Sequence, residues 1–172
     1  MNARWGRIRE WFETHAPELT NHLRPGATDA EIRQAESTIS LDFPPSVRAS
    51  YRIHDGQTDD SYAVGSWRLF PLAEVVRQWE ALRDIEHEFE FGDWDSTTSI
   101  PIMGNGGGDL LYVEHAPDES ETPVTEWRHE NPTHDVKAPS FAAYLDTFLD
   151  ALDAGEYVYL EGDGVLVHED DL

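Results

Sequence analysis

The run Gly104-Asn105-Gly106-Gly107-Gly108-Asp109 is the first place where this chain could do chemistry. Successive glycines let backbone amides converge on a phosphate. The context argues against that use. The run lacks the Gly-Lys-Ser/Thr ending of a phosphate loop, and it does not open into a helix in the Gly-x-Gly-x-x-Gly register. It lies between two apolar strand runs, where glycines supply the positive φ of a hairpin turn. Gly104, Gly106, Gly107, Gly108 and Asp109 are therefore read as a structural turn.

Other constellations fail in similar ways. Asp93-Trp94-Asp95-Ser96-Thr97 begins like a calcium loop, but Thr98 stands where the sharp-turn glycine belongs and Gly104 where the bidentate glutamate belongs. His129-Glu130-Asn131-Pro132-Thr133-His134-Asp135 gathers two histidines with acids, short of the three or four convergent ligands of a zinc site. A polar loop is expected there. Paired carboxylates could serve glycoside hydrolysis, but with 35 acidic residues such pairs arise by chance. No Gly-x-Ser-x-Gly elbow is present, and Gly65-Ser66-Trp67 does not supply one. The chain has no cysteine, which excludes thiolate catalysis, disulfides and Cys-ligated zinc. Trp67, Trp94 and Trp127 could stack on sugar rings, with buried core aromatics as the alternative. A non-enzyme without cofactor or metal is expected.

The elements that position these residues can be read from periodicity. Trp5, Ile8, Trp11 and Phe12 make an apolar stripe on a helix over 3–14, expected to pack on the domain. Thr28 and Glu31 have capping-box spacing, and Ile32, Ala35 and Ile39 follow on one helical face. Pro44-Pro45 starts a second short helix that ends at Asp55-Gly56. A long helix over 72–89 carries Leu72, Val75, Val76, Trp79 and Leu82 at core spacing. Its acidic end, Asp84, Glu86, Glu88 and Glu90, opposes the helix dipole and should fray. Strands are expected at 99–103, 109–115 and 123–129, in an antiparallel sheet with at least one partly solvated face. Phe141, Leu145, Phe148, Leu149 and Leu152 define a closing helix between Ser140 and Gly155. Residues 157–160 and 165–167 read as a terminal hairpin, and 168–172 as a frayed acidic tail.

The order of these pieces resembles the SMI1/KNR4 family, of the SUKH superfamily. The resemblance is carried by Leu23-Arg24-Pro25-Gly26-Ala27-Thr28, by Phe43-Pro44-Pro45 through Asp55-Gly56-Gln57, and by Trp67-Arg68-Leu69-Phe70-Pro71-Leu72. The glycine hairpin, Val124-Thr125-Glu126-Trp127-Arg128-His129 and Ala138-Pro139-Ser140-Phe141 continue it, so that it covers about 23–157. It implies an α+β fold, a twisted antiparallel sheet with helices packed on one side and around its edge. One domain over 1–172 is expected, with 1–20 an N-terminal helix and 158–172 a hairpin and tail. The family's glycine turn ends at an aspartate that fixes the loop by hydrogen bonds; Asp109 matches it. The resemblance implies a protein-interaction module. Bacterial members are similar to immunity proteins that neutralise a cognate toxin, and fungal members to regulators linked to cell-wall synthesis.

Charge restricts the partner. Asp plus Glu number 35 against 12 Lys plus Arg, a formal net charge of -23, and Lys137 is the only lysine. Such a chain repels nucleic-acid phosphates and anionic membrane surfaces. It has no membrane-length apolar run and no apolar run behind its N-terminus, so a cytoplasmic location is expected. Two explanations of the acidity stand open: adaptation to a salty cytoplasm, where screening removes self-repulsion, and complementarity to a basic partner such as a toxin domain. Candidate partner-binding residues, chosen by placement, are Asp55, Gln57, Asp59 and Asp60; Glu86, Glu88, Glu90, Asp93 and Asp95; and Glu114, Glu126 and Arg128. A solvated acidic surface is the alternative reading of all of them.

Overall fold

The computed structural model describes residues 1–58, 62–88, 94–130, 133–161 and 165–172. Helix α1 (Asn2–His15) buries Trp5, Ile8 and Phe12, and α2 (Pro17–Thr20) follows it. The stripe packs inward as its spacing requires. Trp5 Nε1 donates to Ser50 Oγ at 2.8 Å, while Trp11 stays half-buried, stacked on His15. Helix α3 (Asp29–Ile39) starts at the Thr28–Glu31 capping box, with both reciprocal bonds present, and stops at Ser40 in the left-handed region. Helix α4 (Pro45–Tyr51) begins on its proline. Its first turn is capped from a distance: Glu121 accepts from Ser46 N at 2.9 Å and from Ser46 Oγ.

Helix α5 (Leu72–Ile85) covers the whole apolar period, and the acidic end expected within a helix over 72–89 tightens into a 3-10 turn over Glu86–Glu88, with 89 outside the described residues. Carboxylates at a helix C-terminus meet its negative dipole end, so the last turn gains nothing from continuing. Helix α6 (Phe141–Ala154) runs from the Ser140 N-cap to Gly155 and buries Phe141, Leu145, Phe148, Leu149 and Leu152. Arg4 ties α1 to α6 through both oxygens of Asp146 at 2.7 Å.

Five strands form one antiparallel sheet in the order β1 (Arg68–Leu69), β2 (Ser99–Gly104), β3 (Leu110–Glu114), β4 (Val124–Trp127) and β5 (His134–Ala138). The α+β class follows. Register puts Arg68, Gly104, Leu110 and Trp127 on one face, and Met103, Leu111 and Glu126 on the other. The expected solvated face is absent from the sheet centre, where every residue of β2–β4 except Glu114 is buried. Helix α5 packs on β2, α6 on β5, α1 and α4, and α3 on α5. Among the described strands of this sheet, β5 is the one with most of its residues exposed, four of its five. It takes in His134 and Asp135, the end of the stretch expected as a polar loop over 129–135, and is recruited by backbone pairing to β4.

The terminal hairpin forms a separate two-stranded sheet of β6 (Tyr157–Leu160) and β7 (Val165–His168). The tail is not frayed: it makes a 3-10 turn over Glu169–Asp171, anchored by Glu169 N on Glu156 O at 2.8 Å. Among the described residues, no helix is long and apolar enough to cross a membrane.

Candidate functional site

Residues 105–109 join β2 to β3, and their geometry is set by close approach. A Cβ on Gly104 would lie 2.6 Å from the Phe70 ring. Gly106 (φ 75°) and Gly108 (φ 103°) take left-handed backbone, with the Tyr62 hydroxyl and the His129 ring where a Cβ would stand. Asn105 Oδ1 accepts from Gly107 N at 2.9 Å and from Asp109 N at 3.2 Å, which closes the turn on itself.

Asp109 ties the turn to the end of β4. Its Oδ2 accepts from Asn105 Nδ2 at 3.0 Å, and its Oδ1 accepts from His129 N at 3.1 Å and lies 2.9 Å from His129 Nδ1. Partial burial works against the charge on Asp109. The hydrogen bonds from His129 and Asn105 outweigh it, and the carboxyl is held below its ordinary range.

The turn forms one lip of a cleft of about 510 Å³. Gln78, Leu82 and Ile85 on α5, Leu110 and Trp127 on the sheet, and Tyr62 line it as well, with Leu82, Leu110 and Trp127 themselves buried. Among the described residues, Ile85 is one of few large apolar side chains left exposed, at 42%. Arg68 also lines the cleft, but Glu74 clamps it through two bonds of 2.7 and 2.6 Å. Glu74 reaches Arg77 at 3.1 Å as well. Burial opposes ionisation of Glu74, and the two guanidiniums overcome it and lower its carboxyl below the ordinary range.

Chemically, the cleft offers an anionic carboxylate, an imidazole and apolar walls. The His129–Asp109 pair could orient a base, but none of the described lining residues is a serine, threonine or cysteine that it could activate. Among the described residues, no three His, Asp or Glu side chains converge to hold a metal ion.

The acidic candidates do not share one site. Asp55 accepts from Leu72 N at 2.8 Å, capping α5 from a distance, and pairs with Arg24. Glu86 follows the other end of α5, about 20 Å away by helix rise, and accepts from Ser96 N at 3.0 Å. Gln57 is fully buried, with Oε1 accepting from Leu69 N. Asp95 is exposed and closes its own turn onto Thr97. Glu114 is exposed at the end of β3 remote from the glycine turn. Glu126 is buried, held by Arg128 at 3.1 Å and Lys137 at 2.6 Å, while Arg128 is half-exposed. Asp59, Asp60, Glu90, Asp93 and the Glu88 side chain lie outside the described residues. Sequence reasoning found the turn and missed the walls. Tyr62, Gln78, Leu82 and Trp127 meet only in three dimensions; the excess of glycine beyond what a hairpin needs was the available signal.

A description of the SMI1 / KNR4 family (SUKH-1) matches residues 26–147, so the chain belongs to that family. It is similar to the cell wall assembly regulator SMI1 of Saccharomyces cerevisiae, 28% identical over 131 residues that cover 69% of this chain and 26% of that protein. It is also similar to the glucan synthesis regulatory protein of Neurospora crassa, 32% identical over 88 residues, 49% of this chain and 16% of the relative. F-box only protein 3 of Homo sapiens matches at 32% over 53 residues, 31% of this chain and 11% of the relative. The chain spans about a quarter or less of the length of each.

Proposed function

We propose that this chain is a non-catalytic protein-binding module that docks its partner at the cleft between the glycine turn and α5. The cleft itself carries the reading: it combines apolar walls with an exposed rim residue, Ile85, and an ionised Asp109, and it lacks a serine, threonine or cysteine among its described lining residues. Three named relatives lend support, two of them regulators and the third an F-box protein. A regulatory role in which binding is the whole activity is the reading we adopt. Fold similarity alone would not decide this.

Neutralisation of a toxin is the second reading, and one observation favours it. Most basic side chains are spent in internal ion pairs, including Arg4–Asp146, Arg48–Glu36, Arg52–Asp29 and Lys137–Glu126. The surface therefore presents uncompensated acid to a basic partner.

The test is site-specific photo-cross-linking in lysate of the host at native salt. A photoreactive residue at position 85 should capture one protein, and the same residue at exposed position 13 on α1 should not. Capture from position 13 alone would overturn the cleft reading. Co-expression with the captured protein then separates the roles, since growth rescue marks neutralisation and its absence marks regulation.

A further inference from the structure

The chain has four asparagines, and the residue that follows each decides how long its side-chain amide survives. The backbone nitrogen of the next residue can attack the asparagine side-chain carbonyl and close a succinimide ring. Asn131 precedes Pro132, whose nitrogen carries no proton to lose. Asn2 precedes Ala3 and Asn21 precedes His22, and a Cβ crowds the approach in both. Asn105 alone precedes a glycine, which has no Cβ and reaches backbone angles closed to the others.

The turn adds to what the sequence supplies. Asn105 Oδ1 accepts from Gly107 N at 2.9 Å and from Asp109 N at 3.2 Å. Addition to the side-chain carbonyl puts negative charge on that same oxygen, so two backbone donors already stand where the charge develops. Gly106 and Gly107 are exposed and Asn105 is half-buried, so water reaches the site.

We propose that Asn105 is a site of spontaneous covalent modification, converting to aspartate and isoaspartate through a succinimide, and that the conversion unties the lip of the cleft. Gly106 N bonds to Asn105 Cγ and gives up its proton to water. The Cγ–Nδ2 bond breaks, its electron pair leaves with the nitrogen, and ammonia departs after taking a proton from water. Water then opens the ring. Cleavage at Cγ restores the main chain and leaves aspartate, while cleavage at the Asn105 main-chain carbonyl leaves isoaspartate. The sum is an amide and water going to a carboxylate and ammonium, with nothing oxidised or reduced.

The consequence lies at Asp109. Asn105 Nδ2 donates to Asp109 Oδ2 at 3.0 Å, while Asp109 Oδ1 holds His129 N at 3.1 Å. The aspartate product replaces that donor with a carboxylate oxygen, so two like charges meet at hydrogen-bond distance and cannot both stay ionised there without cost. Isoaspartate also adds a methylene to the main chain of a turn packed closely by Phe70, Tyr62 and His129. The effect on docking rests on reading the cleft as the docking site; the conversion itself does not.

The experiment incubates the purified full-length chain in heavy-oxygen water at neutral pH, folded and in urea, and maps its peptides by mass spectrometry. In the folded chain, residue 105 should exchange its amide nitrogen for heavy oxygen at least about tenfold faster than Asn2 or Asn21, well within the worth of one oxyanion donor. Both aspartate and isoaspartate should appear. Asn105→Gln, which would have to close a larger ring, should keep its amide. No conversion at 105 in the folded chain, or conversion in urea alone, would overturn the proposal, because the turn would then protect the amide. Asn105→Asp reports on the lip. The His129 amide should exchange with solvent at least about tenfold faster, as loss of a charged hydrogen bond implies, and unchanged exchange would reject the untying. Cross-linking from position 85 that is lost in Asn105→Asp would carry the effect to docking. Absence of capture from the unaltered chain would sink the docking site and leave the conversion standing.

Discussion

At the scale of single residues, several polar groups that look like surface chemistry turn out to hold the fold. Asp55 is the clearest, because the orphan amide of Leu72 at the start of α5 has no intrahelical acceptor and Asp55 supplies one from outside the helix. Asp55→Ala should cost about 1 kcal/mol, the usual worth of a cap, and lower the thermal midpoint by about 2–4 °C for a chain of this size. Asp55→Asn keeps an acceptor and should cost much less. An unchanged midpoint in the alanine variant would refute the cap. His54 carries a second prediction. It is buried against Trp5, its Nδ1 is bonded to Arg24 O at 2.9 Å, and its Nε2 has no partner among the described residues. Burial pushes the imidazole below its ordinary value; the Arg24 carbonyl offsets part of this, and Arg9 adds to it. The unfolded chain therefore takes up the proton first. Stability from neutral His54 is complete above about pH 6.5, the unfolded value, and falls as pH drops through the depressed folded value. Urea titrations from pH 7.5 to 5 should show that slope, and His54→Gln should flatten it.

At the scale of elements, what was legible depended on whether the signal was local. The capping box of α3 and the apolar period of α6 are written in contiguous residues, and both elements formed where the pattern put them. Strand β5 has no such signal. Four of its five residues are exposed, so it has no apolar alternation, and its pairing to β4 runs through backbone groups common to every sequence. The site divides the same way. The turn is visible as glycines, but why Gly104 must be glycine depends on Phe70, thirty-four positions earlier. A methyl group at 104 would press on the Phe70 ring, whereas at Gly107 it would meet only the Asn105 side chain at 3.3 Å. Gly104→Ala should therefore cost about 1–3 kcal/mol as an overpacked site, and Gly107→Ala far less. Equal unfolding midpoints for the two variants would mean that the turn, and not its packing on Phe70, sets the requirement.

At the scale of the whole molecule, the question is what the acidity is for. Exposed carboxylates occur on α1, α2, α3, α5 and α6, on the 117–121 loop and beside the terminal hairpin. A charge spread this widely gives long-range attraction for any cation but no register for a particular one. Selectivity must then come from a place where charge coincides with shape, which is the role proposed above for the cleft. The same spread makes self-repulsion a property of the whole fold. Screening lengths shrink from about 30 Å at 0.01 M salt to about 3 Å at 1 M, which takes distant carboxylates out of contact with one another while leaving pairs such as Arg68–Glu74 intact. The thermal midpoint should accordingly rise by more than about 4 °C over that range, somewhat over 1 kcal/mol for a chain of this length. It should rise with sodium chloride and potassium chloride alike, since screening depends on ionic strength. A flat or falling midpoint would mean that the surface acid carries no stability cost, and salt adaptation would then lose its physical basis. The acid would be left to the partner to explain.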